Sequence, residues 1–233
     1  MTKTALISGG GRGIGAGIAA RLTAAGWRAV IADREEPAAL PEGARFLRAD
    51  VSDEANVGGL LRSIEAEEGR LDALICNAGF MIRKPIGALS LAEWQAVIGT
   101  NLTSTFLLAR AAEALLRASR GAIVTIASTR AHQSEPDTES YAASKGGLLA
   151  LTHALAISLG PDVRANCVSP GWIDSRGGHL RADDHAQHPA GRVGRVEDVA
   201  NLVAWLVGPE SGFVTGAEFI IDGGMTRKMI YAE

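Results

Sequence analysis

Thr4-Ala5-Leu6-Ile7-Ser8-Gly9-Gly10-Gly11-Arg12-Gly13-Ile14-Gly15 begins with a short apolar run, turns on glycines and enters a segment of helical period. Its spacing is Gly9-x-x-x-Gly13-x-Gly15. The commoner G-x-G-x-x-G, read from Gly13, would need glycine where Ile18 stands. The physical requirement is similar, since glycines permit the tight turn and let a pyrophosphate approach the backbone amides at the positive end of the helix. Gly9, Arg12, Gly13, Ile14 and Gly15 are therefore candidate nucleotide-binding residues. An ordinary strand-to-helix turn satisfies the same spacing, so its meaning depends on the rest of the chain.

Beyond the turn, the chain alternates. Strand-like apolar runs recur at 4–7, 28–32, 45–47, 73–76, 122–126, 163–168 and 218–221, separated by helical periodicity at 14–24, 54–68, 90–117, 141–159 and 196–206. Parallel strands need crossover helices, so the expected fold is α/β: a Rossmann-type, doubly wound parallel sheet of about seven strands with helices on both faces. Ligands of such sheets bind at the carboxyl ends of the strands. The alternation breaks between Asp174 and Arg195, a polar stretch that reads as a short mobile flap over the site. With no internal repeat or linker, residues 1–233 are expected to form one dinucleotide-binding and catalytic domain.

Composition narrows the partners. The net charge of −3 is small and the arginines are scattered, which argues against nucleic acid or an anionic membrane surface. Cys76 and Cys167 each lie at or near the end of an apolar run, where a thiol behaves as a small hydrophobe, and no disulfide is implied. The first strand starts within a few residues of Met1 and no apolar stretch approaches the roughly 20 residues of a membrane span, so a cytoplasmic protein is expected. His185 and His188 lie near Asp183 and Asp184, but their spacing matches no metal site of known mechanism, and none is assigned.

Chemistry is concentrated in Ser140-Tyr141-Ala142-Ala143-Ser144-Lys145. On a helix, residues i and i+4 share a face, so an ammonium stands beside a phenol. A tyrosine with a pKa of about 10 is a poor base at neutral pH, and a nearby cation favours the phenolate. Ser128 lies upstream, at the end of the run 122–126. At the other end of the expected site, Asp33 closes the second run, placed to accept hydrogen bonds from an adenosine ribose and to repel a 2′-phosphate. Arg12 and Arg34 pull the other way, since a guanidinium pairs with that phosphate. NAD is the expected cofactor, with NADP the alternative.

These residues together resemble the short-chain dehydrogenase/reductase family in its short, single-domain form. The resemblance extends over nearly the whole chain through Gly9, Gly13, Gly15, Asn77-Ala78-Gly79, Asn101, Ser128, Tyr141, Lys145 and Pro170-Gly171. It implies that Asp50 and Val51 contact the adenine, that Asn77 steadies the sheet beside the cofactor, and that Ile173 and Ser175 contact the nicotinamide carboxamide. It further implies that Ser128 hydrogen-bonds the substrate oxygen and that Tyr141 is the acid/base. Lys145 would bind ribose and lower the phenol pKa, and Asn101, at the opening of a helix, would anchor a proton-relay water. Ser8, Cys76 and Ser175 depart mildly from the family pattern.

The implied reaction is hydride transfer between nicotinamide and a secondary alcohol or ketone. The polar loop from Thr129 to Glu139 suggests a small hydroxylated substrate such as a sugar, polyol or hydroxy acid. Arg130 or Arg83 are candidates to hold a carboxylate, with His132 and Trp172 as further candidate substrate contacts. Two other readings stay open: an NADPH-dependent 3-oxoacyl thioester reductase, and a nucleotide-sensing or scaffold protein without catalysis. Small residues Ala142, Ala143, Gly146, Gly147 and Ala150 permit close helix approach, and by family resemblance this helix with its predecessor, and the C-terminal segment 219–233, imply a homotetramer.

Overall fold

Ala5, Leu6 and Ile7 are completely buried, as are Leu74, Ile75, Ile123 and Val124 on neighbouring strands. A parallel strand covered on both faces has no solvent side, so it reads as a continuous apolar run. The computed structural model describes residues 2–175 and 177–229. In it, seven strands form one parallel sheet: β1 (Thr4–Ser8), β2 (Arg28–Asp33), β3 (Arg45–Arg48), β4 (Ala73–Cys76), β5 (Ala122–Ile126), β6 (Arg164–Pro170) and, last in the chain, Glu218–Ile221.

The order across the sheet is β3-β2-β1-β4-β5-β6 followed by 218–221 at the far edge. The chain leaves β1 toward one edge and returns at β4 toward the other, so a crevice opens between β1 and β4 at their carboxyl ends. Successive strand residues point to opposite faces. Leu6, Leu74 and Ile123 pack with α2 (Glu54–Glu68) and with the helices nearer the middle of the chain, while Ile7, Ile75 and Val124 pack with α1 (Gly13–Ala24) on the other face.

The segment expected as one helix over 90–117 is α3 (Leu91–Ile98), a π turn over Gly99–Thr103 and α4 (Ser104–Ser119). Ser90 starts it with a reciprocal capping box to Glu93. Asn101 therefore sits inside a continuous helix, in its widened turn, and does not open one. Such π turns interrupt helices mostly where a side chain or carbonyl has a special position to fill.

α5 (Glu139–Leu159) carries Tyr141 and Lys145. By length and mean hydropathy (1.2) alone this 21-residue helix meets the composition of a bilayer span, as buried core helices also do. It packs on the sheet through Leu148, Ala156 and Leu159, and Ser144 and Lys145 are buried with them. The polar stretch after β6 is partly structured: β7 (Ile173–Asp174) pairs with β8 (Gly194–Arg195), and α6 (Ala182–Ala186) lies between them. α7 (Val196–Val207) comes next, on the α1 face, and Glu218–Ile221 is β9. The expected C-terminal interface reaches 233, and its residues 230–233 lie outside those described.

Candidate active site

The glycine turn is shaped by contacts with β4. Gly9 has φ +63°, and a Cβ on it would fall 2.7 Å from the Cα of Ala78. A Cβ on Gly15 would fall 2.2 Å from the Gly9 carbonyl oxygen and 2.6 Å from Asn77 Nδ2. Only glycine lets α1 start this close to the strand ends. Asn77 fastens the same corner, donating through Nδ2 to the carbonyls of Ser8 (3.1 Å) and Gly9 (2.8 Å). The Ser8 hydroxyl accepts from the amides of Asn77 and Ala78. Serine in place of the commoner threonine thus keeps the bond that joins β1 to β4.

Above this corner lies an open cavity of about 400 Å³. Of the residues expected to bind a dinucleotide, Gly9, Arg12, Ile14, Asp33, Arg34, Asp50, Val51, Asn77, Ala78, Gly79, Tyr141, Lys145, Pro170, Gly171 and Ser175 line it, together with Ser128. Gly13, Gly15, Ile173 and Asn101 do not. Gly15 is enclosed by the turn, and the Ile173 side chain is packed on the core and over Gly194. Phe80, Thr100, Ile126 and Ala127 also line the cavity, although the sequence does not point to them. Each lies within two residues of an expected site residue, but a residue beside a motif carries no signal of its own.

The residues fit a dinucleotide. The first turn of α1 has neither a side-chain cap nor an acidic residue, so its amides remain available to phosphate oxygens. At one end Asp33 is held in place, its carboxylate accepting from the amides of Gly11 (3.0 Å) and Arg34 (2.8 Å). At the other end Lys145, 3% exposed, donates to the carbonyl of Ile126 at 2.8 Å. Burial lowers the Lys145 pKa to about 8, with Cys167 acting weakly in the opposite sense.

Ser128 does not end β5. It lies two residues beyond, in extended backbone, and caps the short turn Thr129–Ala131 by accepting from the amide of Arg130 at 3.2 Å. The Tyr141 phenol is pushed up by burial and pulled down by a hydrogen bond with Ser128 and by the charge of Arg130. The Lys145 ammonium stands 5.5 Å from the ring centroid, and without a cofactor the rise from burial prevails. Asn101, 1% exposed, accepts from the Phe80 amide at 2.9 Å and donates to the Phe80 carbonyl (2.9 Å) and to Ser144 Oγ (3.0 Å). Both of its amide hydrogens are used, so its side chain positions Phe80 and α5.

A second cavity of about 690 Å³ adjoins the first and shares Gly79, Phe80, Ser128, Tyr141 and Gly171 with it. Its wall includes Thr129, Arg130, Gln133, Ser134 and Glu135 of the polar loop, and also Trp172 and His188. Among the expected substrate residues, Arg130 and Trp172 line it. Arg83 and His132 do not: Arg83 pairs with Glu135 at 2.8 Å, and His132 Nε2 is 2.8 Å from Glu218. Arg130 also pairs with Glu135, so both candidate arginines already share one carboxylate.

The family model described as Enoyl-(Acyl carrier protein) reductase matches residues 9–226. The chain belongs to the short-chain dehydrogenase/reductase family. An "Uncharacterized oxidoreductase" of Thermotoga maritima is 44% identical over 99% of this chain and 98% of its own length. The 3-oxoacyl-[acyl-carrier-protein] reductase FabG of Escherichia coli is 34% identical over 96% and 97%. Among solved structures, an apo SCOR enzyme from Clostridium thermocellum superposes with a TM-score of 0.94 at 37% identity, covering 99% of this chain and 96% of the other. The aldohexose dehydrogenase of Thermoplasma acidophilum, ligand-free, gives 0.94 at 26% identity, covering 100% and 97%. The protein is thus an oxidoreductase of this family, whose members use NAD(P).

Burying the Lys145 ammonium couples stability to pH. Its folded pKa lies below that of the unfolded chain, so between about pH 8 and 10.5 the unfolded state binds more protons and this group's penalty shrinks as pH rises. Without added nucleotide, Lys145→Met is expected to be more stable than the wild type at pH 7, with the advantage narrowing toward pH 10. Urea unfolding of both proteins across that range checks this, and an advantage independent of pH would refute the buried charge.

Proposed function

We propose that the protein is an NAD-dependent dehydrogenase or reductase that interconverts a secondary alcohol and a ketone on a small polar substrate. The single observation that carries the reading is the meeting of the two cavities at Ser128 and Tyr141, with Lys145 buried beneath. When bound, the nicotinamide cofactor supplies the hydride donor or acceptor. Ser128 then donates a hydrogen bond to the substrate oxygen, and Tyr141 gives or takes the proton of that oxygen. Lys145 binds the ribose side of the site and keeps positive charge below the phenol.

With its pKa raised, the phenol is protonated at neutral pH and stands ready to donate to a carbonyl oxygen. Alcohol oxidation needs the same atom to accept a proton, which calls for positive charge beyond that of Lys145. Support for NAD comes from Asp33, whose carboxylate is fixed at the cavity wall by two backbone amides where a 2′-phosphate would meet it. Arg12 and Arg34 line the cavity too, and they are the residues through which NADPH would be accommodated. Thr129, Arg130, Gln133, Ser134 and Glu135 in the wall of the second cavity support a hydroxylated substrate, although Phe80, Met81, Trp172 and Met225 make the rest of that wall apolar. The 3-oxoacyl thioester reductase reading has its own support in the likeness to FabG.

Tyr141→Phe is expected to lower kcat by about a thousandfold or more, with cofactor affinity retained within about threefold. Steady-state rates together with fluorescence titration of nucleotide check this. Full activity in the variant would remove Tyr141 from the chemistry.

The homotetramer is part of the same proposal. Phe106 on α4 and Ile157 on α5 are 46% and 83% exposed, apolar groups that a partner subunit would cover. Sedimentation velocity is expected to show about four times the 24.2 kDa chain mass, and a monomer at micromolar concentration would refute it.

A further inference from the structure

Two side-chain nitrogens of the second cavity's wall are buried without a hydrogen-bond partner: Arg130 Nη1 and His188 Nε2. Buried polar groups are almost always paired, so two orphaned nitrogens on residues of one cavity call for an explanation, and a ligand that pairs with both supplies one. His188, 3% exposed, lies on the stretch after β6, and its spacing to His185 fits no metal site. The two histidines serve different partners. His185 Nδ1 accepts from the Val193 amide at 3.2 Å, and His188 Nδ1 is 3.0 Å from the Asp184 carbonyl. A carbonyl only accepts, so Nδ1 of His188 carries hydrogen and, in the neutral ring, Nε2 presents a lone pair.

Arg130 offers the complementary group. It contributes a donor, Nη1, while its other terminal nitrogen is held by Glu135. Glu135 is shared with Arg83, so one carboxylate serves two guanidinium groups, and the charge of Arg130 still reaches Tyr141. The acceptor of His188 and the cationic donor of Arg130 belong to residues that line the same cavity as Tyr141, and together they suit a ligand that carries a hydroxyl hydrogen and an anionic oxygen.

We propose that the substrate is a hydroxylated carboxylate, with a hydroxyl donating to His188 Nε2 and a carboxylate oxygen accepting from Arg130 Nη1. This rests on the dehydrogenase reading of Tyr141. A neutral polyol pairs with His188 and leaves Arg130 unanswered, whereas a long acyl chain leaves both unpaired. Both nitrogens are closed off from solvent in this arrangement, so the substrate reaches them as the wall formed by Gln187, His188 and the Arg130 side chain shifts.

The test compares short aldonic acids with alditols of the same carbon number, measuring kcat/KM with NAD and NADP and, separately, calorimetric binding to the nucleotide-loaded protein. The wild type is expected to favour the acids at least tenfold by both measures, about 1.4 kcal/mol. Arg130→Met should bring the acid-to-alditol ratio close to one. The ratio cancels any general effect of Arg130 on Tyr141. His188→Gln should raise KM for polyhydroxylated acids more than for a monohydroxy acid of similar length. Equal use of acids and alditols by the wild type, or a preference that survives Arg130→Met, would overturn the proposal while leaving the dehydrogenase reading intact. Acids that bind through Arg130 yet are never oxidised would support the proposed ligand class and remove the dehydrogenase reading. Absence of acid binding would overturn the proposal whatever the turnover.

Discussion

There is no room for a side chain at position 15. A Cβ there would meet the Gly9 carbonyl at 2.2 Å and the Asn77 amide at 2.6 Å, both parts of the corner that closes β1 against β4. Because that corner is tight, α1 begins directly above the carboxyl ends of the central strands and aims its uncapped amides into the cavity. The ends of β2 and β5 then fall on either side, bringing Asp33 to one end and Ser128 to the other. Separation of the nucleotide end from the reacting end is thus a consequence of strand order, with the crevice between β1 and β4 setting the origin.

The reacting end depends on a second constraint. Asn101 takes both the amide and the carbonyl of Phe80 and also holds Ser144, tying the chain after β4 to the helix that bears Tyr141 and Lys145. The π turn over Gly99–Thr103 is where the helix widens around this residue. In turn, Ser144 donates to the Tyr141 carbonyl at 2.7 Å. The buried Lys145, which donates to the Ile126 carbonyl, completes the set, and its burial holds its pKa below the usual lysine range.

Strand and helix positions were legible because the sheet is covered on both faces, which turns its strands into apolar runs that helical periodicity separates cleanly. Legibility failed where a residue's role depends on what comes to it from elsewhere in the chain. Nothing near Arg83 or His132 in the sequence announces that Glu135 takes the first and Glu218 the second, and the nearness of Glu135 to Arg130 in the loop does not say that the same carboxylate is shared with Arg83. The i+4 spacing of Tyr141 and Lys145 put them on one face, but the sign of the phenol's shift is set by burial that only packing decides. His188 illustrates the same limit: its neighbours in sequence suggested a solvated flap, whereas the chain turns it inward against Trp172, with ring centroids 6.2 Å apart.

The central claim is that one continuous cavity binds a nicotinamide dinucleotide with Asp33 at its adenosine end. Parallel titrations with NADH and NADPH, followed by energy transfer from the tryptophans to the reduced nicotinamide, test it most directly. Tighter binding of NADH by at least tenfold, about 1.4 kcal/mol, is the result this account predicts. Tighter binding of NADPH would contradict the role given to Asp33, and binding of neither would contradict the site itself.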